Sequence, residues 1–120
     1  MEGALTTHVL DTARGCPAAG VGIELWRLDP NGTGRMLLTT TRTNVEGRTD
    51  APLLAGDEFV AGHYEIVFMV AAYFAATGAV EMSVPFLDRV PVRFGVADAT
   101  AHYHVPLLVS PWSYTTYRGS

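Results

Sequence analysis

The sequence predicts an all-β domain, a two-sheet antiparallel β-sandwich of about eight strands with one short helix. Three observations carry that expectation. Apolar and polar residues alternate with a period of two through most of the 120 residues. Clusters of Gly, Pro, Asn and Asp break this alternation roughly every 10–15 residues, the rhythm of short strands joined by turns. No glycine-rich phosphate loop and no strand–helix–strand alternation is present, so a nucleotide-binding α/β fold is excluded.

Each element follows from its residues. Leu5, Thr7 and Val9 share one face of a first strand, with Thr6, His8 and Leu10 on the other. Residues 12–19 hold the Gly and Pro of a loop. Val21, Ile23 and Leu25 alternate with Gly22, Glu24 and Trp26 in a second strand. Asp29-Pro30-Asn31-Gly32 reads as a hairpin turn, because proline presets φ and Asn-Gly accepts positive φ. A threonine-rich strand follows from Arg35 to Thr43, and Asn44–Gly47 turns again. Arg48-Thr49-Asp50 has room only for a short edge strand before Pro52.

Tyr64, Ile66, Phe68 and Val70 alternate with His63, Glu65, Val67 and Met69 after an acidic turn at Asp57-Glu58. Ala71–Thr77 is the one segment where helix is favoured over strand, being alanine-rich and closed by Gly78 at a C-cap position. Val90, Val92, Phe94 and Val96 form the next strand, with Pro91 confining it to an edge or an irregularity. In His102–Ser110, His102, His104, Pro106 and Leu108 oppose Tyr103, Val105, Leu107 and Val109. Ser110-Pro111-Trp112-Ser113 interrupts the chain before a last strand, Tyr114–Arg118. No repeat or linker divides residues 1–120, which read as a single domain.

Composition narrows the function. With 48% hydrophobic and 17% charged residues, the chain is expected to fold rather than remain disordered. Eight basic residues against twelve acidic ones, net −4, argue against a nucleic-acid binder. The longest apolar stretch, Ile66–Ala76, falls short of the roughly 20 residues of a membrane span, so no membrane partner is expected. The single cysteine, Cys16, makes no internal disulfide, and the first residues carry no export-signal pattern. A soluble, cytoplasmic protein is the expectation.

The histidines are the candidate chemistry. His102 and His104 lie two apart on a strand and share a face, about 6.5–7 Å apart. They are compatible with a polar solvent face, with half of a zinc site, or with acid–base catalysis near neutral pH. A zinc hydrolase would take His8, His102 and His104, but no cysteine cluster or helical His-Glu-x-x-His motif accompanies them. Taken singly, His8 reads as a structural histidine, and Arg48 and Arg118 read as surface charges. Cys16 has no nearby basic residue and reads as inert. Ser120 lacks the nucleophile elbow of a serine hydrolase. Spacing alone leaves these alternatives open.

Motifs go further. Thr7-His8-Val9-Leu10-Asp11 with Gly15-Cys16-Pro17-Ala18 resembles the opening motif of the 5-hydroxyisourate hydrolases, transthyretin-related enzymes of urate breakdown. Glu46-Gly47-Arg48-Thr49-Asp50 is similar to their middle motif. His102-Tyr103-His104-Val105-Pro106-Leu107-Leu108-Val109-Ser110-Pro111, ending in Tyr117-Arg118-Gly119-Ser120, resembles their closing signature. Pro85–Asp88 and Val90–Gly95 are similar as well, while Ala75–Val80 matches no motif.

The resemblance implies a transthyretin-like β-sandwich, a homotetramer with a central channel, and active sites in that channel at a subunit interface. It implies hydrolysis of 5-hydroxyisourate, which opens the six-membered ring of the purine. His8, Arg48 and His104 carry over as catalytic residues. His8, Arg48, Tyr117, Arg118, Gly119 and Ser120 carry over as substrate-binding residues, with no metal and no cofactor. Hormone-binding transthyretins hold Lys, Glu and Thr where this sequence has His8, Arg48 and His104, which weighs against a non-enzymatic carrier. The reaction needs a base for water, a donor for the growing oxyanion and a proton for the leaving nitrogen. Two imidazoles and a planar guanidinium supply them. The sequence does not decide which histidine is the base; His104 polarised by His8 is the favoured order. The terminal tetrapeptide is expected to line the site, and Leu107, Leu108, Val109, Trp112, Tyr114 and Tyr117 to bury subunit contacts.

Overall fold

The computed structural model describes residues 2–78 and 83–120, and its alternating segments become nine strands in two facing sheets. One sheet has the order β2 (Cys16–Pro17), β1 (Ala4–Asp11), β8 (His102–Val109), β9 (Tyr114–Thr116), with β5 (Leu54–Ala55) also pairing with β1. The other has the order β4 (Arg35–Arg42), β3 (Gly22–Leu28), β6 (Gly62–Phe68), β7 (Val90–Val96). The inward residues of the two sheets meet in one core. Leu5, Val9, Leu107 and Val109 come from the first sheet, and Ile23, Leu25, Tyr64, Ile66 and Phe68 from the second. All are essentially without solvent contact.

Pairing is antiparallel except between β1 and β8, which run parallel over eight residue pairs, from Ala4 opposite His102 to Asp11 opposite Val109. Alternation looks the same in either direction, so it carries no information on strand polarity. The parallel register has one direct consequence for function. It sets Thr6 opposite His104 and Ala4 opposite His102 on the outer face of the sheet.

The helix, α1 (Val70–Thr77), starts one residue earlier than expected and ends at Gly78 with φ 73°, as its C-cap position predicted. Val70, Tyr73 and Phe74 are its buried residues. The Tyr73 hydroxyl donates to Asp11 Oδ2 at 2.7 Å, which ties the helix to the end of β1. Burial and that carboxylate push the Tyr73 pKa up to about 12. Ala79 and Val80, the last residues of the stretch without a family motif, lie outside the described residues.

Three expectations change in detail. Residues 48–50 do not form a strand; Arg48 makes only an isolated antiparallel bridge to His8. The last strand ends at Thr116, and contact with β8 resumes at a bridge between His104 and Gly119. Leu107 and Val109 fill the core of their own sandwich rather than a subunit contact, because they point inward on β8. Trp112, Tyr114 and Tyr117 do remain exposed, by 60%, 43% and 57%.

Candidate active site

On the edge of β1 that is not taken by β8, a segment of irregular chain lies between the short pairings with β5 and β2, and the cleft forms beside it. The Asn44 side chain organises the turn: its Oδ1 accepts from the amides of Glu46 (2.9 Å) and Arg48 (3.2 Å). Gly47 then adopts φ 77°, and its carbonyl accepts from Val9 N–H at 2.8 Å. A side chain at Gly47 would run into the Val9 carbonyl oxygen. Glycine is therefore required both for its φ and for the close approach of the two chains. The result is that Arg48 sits directly across from His8. Gly47→Ala is expected to lower stability by about 1–3 kcal/mol and to reduce activity by displacing Arg48, as read by thermal unfolding and a rate assay.

A cleft of about 320 Å³ opens beside this turn, lined by Thr6, Arg48, Asp50, His102, His104 and Ser120 among others. His104 and His102 stand on the same outward face of β8, with ring centroids 6.3 Å apart. The Thr6 hydroxyl lies between them, 2.7 Å from His102 Nε2 and 2.8 Å from His104 Nδ1. With Nδ1 held in this way, Nε2 is the His104 nitrogen that serves the cleft. Burial first, then the Arg48 guanidinium, then His102 and His8 hold the His104 pKa below the ordinary histidine value. His104 is thus a neutral imidazole at pH 7.

His8 is oriented differently. Its Nε2 lies 2.9 Å from the Glu46 carbonyl oxygen, which only accepts, so Nε2 carries the hydrogen and neutral His8 has Nδ1 free as an acceptor. Among the described residues no three His, Cys, Asp or Glu side chains converge in a metal-holding group.

The closing tetrapeptide divides between two places. Gly119 N–H donates to the His104 carbonyl at 2.7 Å, which brings Ser120 to the cleft. A Cβ on Gly119 would come within 2.7 Å of His104 Cδ2, so glycine lets the tail pass against the imidazole. Arg118 points the other way and stacks over the Tyr103 ring at 4.0 Å. With Tyr117 it lines a second cavity of about 230 Å³ near Val92 and Phe94 of β7. Within one chain, then, Arg48, His104 and Ser120 line one cleft, His8 lies across from Arg48 but outside that lining, and Tyr117 and Arg118 line the other cavity. Sequence reasoning missed Thr6, whose signal was its place two residues before His8 on the polar face of the first strand.

Comparison with known proteins agrees with the motifs. Residues 5–119 match the model of the HIUase/Transthyretin family. A protein of Mesorhizobium japonicum named 5-hydroxyisourate hydrolase is 58% identical over 118 residues, 98% of this chain and 93% of that protein. The fold superposes on a crystal structure of (S)-allantoin synthase with TM-score 0.92 and 49% identity, covering 99% of this chain and 44% of that one. It also superposes on sea bream transthyretin in complex with thyroxine, with TM-score 0.84 and 31% identity over 97% of this chain and 94% of that one.

Proposed function

The chain belongs to the HIUase/Transthyretin family, and from that premise we propose that it hydrolyses 5-hydroxyisourate, opening the six-membered ring to a ureido carboxylate. The observation that carries this reading is the pairing of a neutral imidazole, His104, with an exposed guanidinium, Arg48, on one polar cleft. A thyroxine carrier needs an apolar pocket, and this cleft offers ionic and hydrogen-bonding groups instead. The higher identity to the hydrolase than to the transthyretin supports the same choice.

The catalytic residues in this reading are His8, Arg48 and His104. His104 Nε2 takes a proton from water as the water oxygen attacks the ring carbonyl carbon. The carbonyl electrons move to oxygen, where the planar donors of Arg48 meet the growing charge. His8 offers its free Nδ1 to a substrate N–H. The tetrahedral centre then collapses, the ring C–N bond breaks, and the leaving nitrogen takes back a proton. No step calls for a metal or cofactor.

Assembly completes the site. Trp112, Tyr114 and Tyr117 expose aromatic surface near the β8–β9 edge, and Tyr117 and Arg118 bound a cavity open at the margin of the sandwich. A homotetramer with a central channel covers that surface and gives Tyr117, Arg118, Gly119 and Ser120 their substrate-binding role from the rim. Light scattering is expected to give roughly four times 12.9 kDa; a monomer at micromolar concentration overturns the assembly. A cytoplasmic location goes with the reading, and no helix among the described residues is long and apolar enough to cross a membrane. The test of function is an ultraviolet time course with freshly made 5-hydroxyisourate. The protein is expected to accelerate the decay, and an unchanged decay rate removes the reading.

A further inference from the structure

One hydroxyl serving two imidazoles is the feature that the reaction above leaves unused. The Thr6 oxygen is 2.7 Å from His102 Nε2 and 2.8 Å from His104 Nδ1. A hydroxyl has one hydrogen, so it donates to one ring and must accept from the other. The two imidazoles are thereby locked in opposite senses. When His104 carries its hydrogen on Nδ1, Thr6 accepts it and donates to a bare His102 Nε2, and His104 Nε2 is bare toward the cleft. When the order is reversed, His102 Nε2–H donates to Thr6, Thr6 donates to His104 Nδ1, and His104 Nε2 carries the hydrogen. The first state is a base and the second an acid, at the same nitrogen.

We propose that Thr6 and His102 are positioning residues that form a proton relay behind His104, with His102 holding the proton while the ring opens. The proposal rests on the hydrolase reading of the cleft and deepens it. In the forward step a water O–H bond breaks, and its proton binds His104 Nε2. The Nδ1 proton passes to Thr6 Oγ1, the Thr6 proton passes to His102 Nε2, and the water oxygen bonds the carbonyl carbon. His104 is again neutral, now with hydrogen on Nε2. When the C–N bond breaks, that hydrogen goes to the leaving nitrogen and the relay runs back from His102 to His104 Nδ1. The protons balance, and both rings end as they began.

Charge explains why the proton should leave His104. The charged groups that act on His104 are Arg48 on the turn segment, His102 on its own strand and His8 on β1, while Thr6, Asp50 and Ser120 line the same cleft. Burial is the main cost of a charged ring there, and the Arg48 cation beside it adds to that cost. His102 is exposed, so water solvates the charge once it arrives. The two-residue step between the histidines and the parallel pairing with β1 put all three groups in line.

Thr6→Val keeps the shape and removes the hydroxyl. Its kcat on 5-hydroxyisourate is expected to fall about 10–100-fold, part of what general acid–base catalysis supplies, with KM and melting temperature unchanged. Thr6→Ser should restore the rate. The rate in mixed light and heavy water should curve with isotope content in the parent, since several protons move, and become linear in Thr6→Val. His102→Asn should lower kcat less than His104→Asn but visibly. Nitrogen NMR of labelled histidine, which needs no substrate, should show His104 as the Nδ1–H tautomer in the parent and the Nε2–H tautomer in Thr6→Val. An active parent whose Thr6→Val turns over at the parental rate overturns the relay alone. A parent without activity overturns the hydrolase reading, and the unchanged His104 tautomer in Thr6→Val would overturn the relay independently.

Discussion

His104→Asn is expected to lower kcat for 5-hydroxyisourate by about 10²–10⁴-fold, the typical contribution of a positioned base, while moving the melting temperature by only a few degrees. The structure explains both halves. His104 is partly exposed on the outer face of β8 and supports no core contact, so the sheet does not depend on it. Asparagine retains a polar group near the position of Nδ1, so the Thr6 hydroxyl still has a partner. What disappears is Nε2 in the cleft. The pH profile adds a second check. Since burial and Arg48 hold the His104 pKa below its ordinary value, the ring stays neutral as pH falls through about 6.5, where a free histidine is half protonated. kcat/KM should therefore be flat from about pH 8 to below 6.5 and fall only on the acid side of that value. A His104→Asn variant with parental turnover removes His104 as the base.

Arg48→Lys is expected to lower kcat/KM by about 10²–10³-fold, the size of the loss when one fixed oxyanion donor is removed. Lysine keeps the charge, but it presents a point ammonium in place of two coplanar N–H donors. Arg48→Met separates charge from geometry. Without the guanidinium, one of the causes that depress the His104 pKa is gone, so that pKa rises. The acid limb of kcat/KM should move to higher pH in Arg48→Met and stay near its parental position in Arg48→Lys. The turn itself is held by Asn44 and Gly47, not by the Arg48 side chain, so both variants should fold. An Arg48→Lys protein with parental kcat/KM would show that charge alone suffices and that paired donors have no part.

Much of this was written in the chain. Alternation in Leu5–Val9, Ile23–Leu25 and Tyr103–Val109 determined which faces are buried, because a strand places successive side chains on opposite sides and water excludes one of them. Gly78 and the alanine-rich run before it determined the helix end. The motifs around His8, Arg48 and His104 determined the family. Only the tertiary structure decided that β1 and β8 run parallel, since alternation has no direction, and that register alone puts Thr6 between two histidines about a hundred residues away in sequence. It also decided that Leu107 and Val109 belong to the core, and that Arg118 stacks on Tyr103 while Ser120 reaches the cleft. Local sequence carries the period of a strand and the φ of a turn. Which strands become neighbours, and in which register, is set by how two apolar faces close over each other, a property of the whole chain and of no single segment.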